Sequence, residues 1–107
     1  MAALPNTIKV AGLFFRVTEI TKEYAEEAGF IGDFNGHLLR IRVAEDLAPA
    51  KKAETLLHEV LHAATDAAGL MDRPGQTDEE VVNPLARVLF SIIKDNPELI
   101  DFLQHPE

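Results

Sequence analysis

The sequence contains no cysteine, so no disulfide framework, thiolate nucleophile or Cys-ligated zinc is available, and any metal must sit on histidine and carboxylate. It is also short of basic residues: 10 Lys and Arg stand against 18 Asp and Glu, a formal net charge of −8. Attraction to a phosphate backbone rests on Lys and Arg displacing counterions, so nucleic acid is not an expected partner. No apolar run approaches the roughly 18 residues of a membrane span, and the start, MAALPNTIKV, has neither the basic region nor the continuous apolar core of a signal peptide. These absences predict a cytoplasmic protein with no membrane association. Internal repeats and low-complexity tracts are missing as well.

What is present has the balance of a globular protein. With 47% hydrophobic and 26% charged residues over 107 positions, one domain, 1–107, with a modest core is expected. Residues 8–19, IKVAGLFFRVTE, are rich in β-branched and aromatic types and predict a strand, with Gly12 marking a bulge. FIGDF and HLLRIRV flank Asn35-Gly36, a pair suited to a tight type I′ turn, and so predict a hairpin. A tight turn pairs Phe30 with Ile41 and Gly32 with Leu39. These four then share a buried face with Phe34 and Val43, while Arg40 and Arg42 point the other way.

From Pro49 to Ala68 the chain has no internal Gly or Pro and is dense in Ala, Leu, Lys and Glu, with Gly69 placed to close it. That predicts a helix of about five turns. Its apolar face is expected to be Leu57, Val60, Leu61, Ala64 and Ala68, with His58, His62 and Thr65 on a neighbouring one. GLMDRPGQ reads as a loop. Thr77 with Glu80 forms a capping box for a second helix from Asp78 to about Asp95. In it Val81, Val82, Leu85, Val88, Leu89, Ile92 and Ile93 are expected to face inward, and Pro84 to bend it. Asn96-Pro97 ends that helix and caps a short last one, PELIDFL. The fold class is therefore α+β: a small antiparallel sheet of about three strands packed on the first long helix, followed by a second long helix and a short C-terminal one.

The chemistry lies in HEVLH, residues 58–62. Residues four apart on a helix lie one above the other, so His58 and His62 can hold a single ion about 2.0 to 2.1 Å from each. Glu59 lies about 100° around the helix from His58 and can take a proton from a water activated by that ion. A catalytic zinc site needs a third protein ligand, and the open candidates are His105, His37 and the acidic run Asp78, Glu79 and Glu80 at the start of the next helix.

HEVLHAATDAAGL resembles the active-site helix of thermolysin-type gluzincins. There a Glu on the following helix is the third ligand, and an Asp or Asn four residues later supports a His ligand. Laid on this chain, the resemblance implies Glu79 as that ligand, with Asn83 and Asp78 as the groups that orient the imidazoles. Glu80, with a capping role of its own and further from the apolar stripe, is the alternative to Glu79. Residues 54–103, through TDEEVVNPLARVLFSIIKDNPELI, are similar to small phage and prophage proteins regarded as minimal gluzincins. The function this implies is a cytoplasmic zinc metallopeptidase with one Zn2+ per chain, acting on a peptide or protein substrate with Glu59 as general base and acid. These 107 residues hold no counterpart of the large C-terminal domain that stabilises the oxyanion in thermolysin. That motivates an alternative: a non-catalytic, zinc-stabilised binding or regulatory protein of phage origin. Arg40, Arg42 and Tyr24 are the side chains available to an oxyanion, and each also fits an ordinary surface position.

Overall fold

The structure, a computed structural model, describes residues 3–70 and 78–106. The elements run β1 (Thr7–Val10), β2 (Leu13–Ile20), α1 (Lys22–Ala28), β3 (Gly32–Asn35), β4 (Arg40–Ala44), α2 (Pro49–Ala67), α3 (Asp78–Asp95) and α4 (Pro97–Gln104). The class is α+β, with one four-stranded sheet in the order β1-β2-β4-β3.

The sheet has four strands where about three were expected, and one of its pairs is parallel; each feature has a local cause. The stretch predicted as one strand is a hairpin: Ala11 and Gly12 both take positive φ, 49° and 86°, so the chain reverses and Val10 pairs with Leu13. Gly12 serves a two-residue turn rather than a bulge. Thr21 accepts the amide of Tyr24 at 3.1 Å and Gly29, at φ 81°, closes the first helix. That helix carries the chain back over the sheet, so β4 lies parallel to β2, which only a crossover of this kind permits.

The second hairpin shifts its register, and Phe30, expected on the inner face, packs on the opposite side with Ile20, Ala25 and Ala44. Asn35 does not enter a tight turn. Its side-chain oxygen accepts the amides of His37 and Leu38, each at 3.0 Å, and residues 36–39 form the loop. Gly32 consequently pairs with Val43 and Phe34 with Ile41, not Gly32 with Leu39 and Phe30 with Ile41. The displacement is an even number of residues, so Ile41, Val43, Phe34 and Gly32 still share one face.

That inner face, with Phe15, Val17 and Ile41, packs on α2 through Ala63, Leu56 and Val60. The row that α2 turns to the sheet is thus Thr55, Glu59 and Ala63, all buried, one register round from the predicted apolar face. The helix ends in a Schellman arrangement: the amide of Leu70 reaches Thr65 O (2.9 Å) and that of Gly69, at φ 72°, reaches Asp66 O (3.0 Å). On the outer face, α1 covers one end of the sheet, where Ala25, Ile20 and Ala44 are buried together.

The second long helix has the predicted span, Asp78–Asp95, and contains Pro84. Its predicted cap, Thr77, and most of the predicted loop lie outside the described residues. Of the residues expected inward, Val82 is buried, whereas Leu85, Val88, Ile92 and Ile93 are exposed; Ala86 is the other buried contact. Asn96 does not cap α4 with its side chain but donates back to Ile92 O at 2.9 Å.

A Cβ at Gly32 would stand 2.7 Å from Thr55 Cγ2 and 3.1 Å from Glu59 Oε2, so glycine here sets how closely β3 approaches α2. Gly32→Ala is expected to cost about 1–3 kcal/mol from overpacking. Adding Thr55→Ser, which removes the clashing methyl, should recover most of that loss; urea midpoints of the single and double variants check both.

Candidate metal centre

Helix α2 stands with the Thr55–Glu59–Ala63 row on the sheet, which leaves the His58–His62 row at its flank, facing α3. Helix α3 runs antiparallel beside it, joined through buried Val82 and Ala86, and its first turn meets the histidines. The Nε2 atoms of His58 and His62 are 3.0 Å apart, and both carboxylate oxygens of Glu79 lie 3.3 Å from His58 Nε2. Glu79 Oε1 also contacts His62 Nε2. Among the described residues, His58, His62 and Glu79 form the one group of three or more His, Asp or Glu side chains able to hold a metal ion.

The donor set fits such an ion. Ligand atoms about 2.0–2.1 Å from a tetrahedral zinc stand about 3.3 Å from one another, which matches the separations about His58. His62 is fixed further: its Nδ1–H donates to Asp78, whose side chain is 11% exposed against 12% for His62. That hydrogen bond selects the tautomer whose Nε2 offers a lone pair to the centre. Three donor atoms therefore converge on one point, where they could hold a metal ion in place of the hydrogen bonds that otherwise join them.

Sequence reasoning named these groups individually, and the structure brings His58, His62, Glu79 and Asp78 together. Glu79, not Glu80, extends its carboxylate to the histidines. Asn83, one turn on, lines the same cleft, but among the described residues no hydrogen bond joins it to either imidazole. His105 stands at the end of α4 beside Asp101 (3.6 Å) and His37 in the 36–39 loop, both apart from the centre. Thr65 is buried and donates to His62 O at 3.0 Å.

Glu59 departs from the picture of a carboxylate projecting freely beside the ion. It is 6% exposed, held between α2 and β3 where Gly32 leaves room for it. Burial pushes its pKa up to about 7, the nearby His62 opposes the shift, and Glu79 and Asp33 add to it. Among the described residues it makes no hydrogen bond or ion pair. With His58, His62, Glu79 and Gly32 it lines a cleft of about 980 Å³. Gly32 is the functional position that the sequence reading used only for pairing; an isolated glycine within a strand was the available signal of close approach.

The groups offered for an oxyanion lie elsewhere. Arg40 and Arg42 project from the sheet face opposite α2. Arg42 donates to both oxygens of Asp33 (2.8 and 2.6 Å) and stacks 5.4 Å from the Tyr24 ring, so both Arg42 and Tyr24 are engaged in a structural contact. No helix among the described residues is long and apolar enough to cross a membrane. No protein-family model, curated protein or solved structure matches the chain.

The raised pKa of Glu59 has a sign that stability measurements can read. The folded state favours the neutral acid, so below the unfolded pKa of about 4.5 burial carries no charge penalty. As pH rises through 7 the penalty grows to on the order of 3 kcal/mol. With divalent ions removed by a chelator, Glu59→Gln is expected to melt above wild type at pH 8.5, and the difference should vanish near pH 4.

Proposed function

We propose that the protein is a zinc metallopeptidase-like hydrolase in which His58, His62 and Glu79 hold the ion and Glu59 handles the proton. The observation that carries this reading is the convergence of two imidazole nitrogens and a carboxylate from a separate helix, with an acidic side chain inside the same cleft. Zinc in a three-ligand site lowers the pKa of a water at its open position to about 7 and polarises a carbonyl oxygen.

The chain's own residues supply the rest. Asp78 keeps the proton of His62 on Nδ1 and so keeps Nε2 directed at the centre. Glu59, without a competing hydrogen bond, can accept a proton from the attacking water and return it to the departing amine. The substrate is best accommodated as an extended peptide. β3 is an edge of the sheet, and the bond from Ala44 N–H to Ile31 O, at 2.8 Å, sets the alternation along it. Ile31, Asp33 and Asn35 turn their backbone groups to β4, while Gly32 and Phe34 turn theirs to the free edge beside the cleft. An added strand pairing there lies alongside the histidines.

One observation favours a second reading, a zinc-stabilised binding or regulatory protein without turnover. The side chains suited to steadying an oxyanion, Arg40, Arg42 and Tyr24, are on the wrong face of the sheet or committed to one another.

The two readings separate in one set of measurements. Protein dialysed against zinc is expected to retain about one zinc per chain by elemental analysis, and His58→Ala, His62→Ala and Glu79→Ala should lose it. Glu59→Gln should keep the metal while hydrolysis of an unstructured peptide falls at least about 100-fold. Wild type that binds zinc and cleaves nothing supports the regulatory reading, and wild type that takes up no zinc removes both. Chelation should lower the melting temperature of wild type and leave that of His62→Ala unchanged.

A further inference from the structure

Helix α3 carries a second apolar stripe that its contact with α2 does not use. Val81, Leu85, Val88 and Ile92 follow one another at intervals of four, three and four residues, the spacing of a coiled-coil seam. The last three are exposed, at 46%, 55% and 40%. The stripe lies roughly 100° around the helix from Val82 and Ala86, the residues buried against α2. It continues onto α4, an eight-residue helix with no buried residue, on which Leu99, Phe102 and Leu103 are 43%, 61% and 63% exposed. A helix of two turns is marginal without tertiary packing. The radius of gyration is 14.4 Å, against about 13 Å for a compact chain of this length.

We propose that this surface is a homodimer interface, in which the α3 seam of one copy packs on the α3 seam of a second and the α4 arms close over the pair. Six half-exposed large side chains offer roughly 600 Å² of apolar area per copy. A stable complex buries roughly 800 Å² per partner, a little over half of it apolar, so the surface suffices for a two-fold contact. A heptad-spaced stripe is self-complementary under two-fold symmetry, which one copy facing another satisfies with no further design.

Apolar contact between two copies that each carry a net charge of −8 makes the association salt-dependent in a diagnostic direction. Screening weakens the repulsion and leaves the seam intact, so the dimer should tighten as salt is raised. Sedimentation equilibrium of the full chain from about 1 to 200 μM is expected to show twice the monomer mass of 11.8 kDa, with the dissociation constant falling between 50 and 500 mM NaCl. Val88→Glu and Phe102→Glu, both at positions exposed in the single copy, should each weaken the dimer at least tenfold with unchanged far-UV circular dichroism. A wild type that stays monomeric throughout overturns the proposal. So does a dimer that neither substitution affects, or one that salt dissociates.

Discussion

Two imidazole nitrogens and a carboxylate converge here within about 3.3 Å of one another, close enough to share one metal ion, and their lone pairs repel unless a proton or a cation lies between them. The rest of the architecture serves that convergence. α2 is held on the sheet by its Thr55–Glu59–Ala63 row, so the direction of His58 and His62 follows from helical spacing alone. Glu79 depends on α3, which is anchored by Val82 and Ala86 and tied at its first turn by the hydrogen bond between Asp78 and His62. A slide of α3 by one residue moves Glu79 by about 1.5 Å, half the separation between ligand atoms. The interhelical contact is therefore as much a part of the centre as the ligands themselves.

The sheet divides the chemistry between its faces. On the inner side, Gly32 lets the helix approach until Glu59 is 6% exposed, and among the described residues its carboxylate makes no hydrogen bond. On the outer side, Arg42 meets Asp33 and the rings of Tyr24 and Phe30, a fully partnered cation under α1. One face holds an acid whose charge is disfavoured and the other a base whose charge is locked in. Arg42 thus serves the scaffold on the face away from the cleft.

Much of this was legible in the sequence because it depended on local periodicity. The i, i+4 spacing of His58 and His62, the uninterrupted helix from Pro49 and the acidic first turn at Asp78 all place groups by helical geometry, whereas preferring Glu79 to Glu80 came from the resemblance to thermolysin-type helices, with the capping role of Glu80 and its distance from the apolar stripe in agreement. What failed depended on choices that the local sequence leaves open. Asn35 can enter a type I′ turn or bind the following amides with its side chain, and it does the second, which moved the hairpin register. Ala11 shows no preference for positive φ, so the first turn was hidden inside an apparent strand. The apolar residues of α3 form two stripes, and periodicity cannot assign which of them meets α2.

X-ray absorption at the zinc edge of the metal-loaded protein tests the convergence most directly. The account predicts four nitrogen or oxygen neighbours at about 2.0–2.1 Å, with the outer-shell scattering of two imidazole rings. A six-coordinate oxygen shell without imidazole scattering, or the same spectrum from a chain carrying both His58→Ala and His62→Ala, would contradict it.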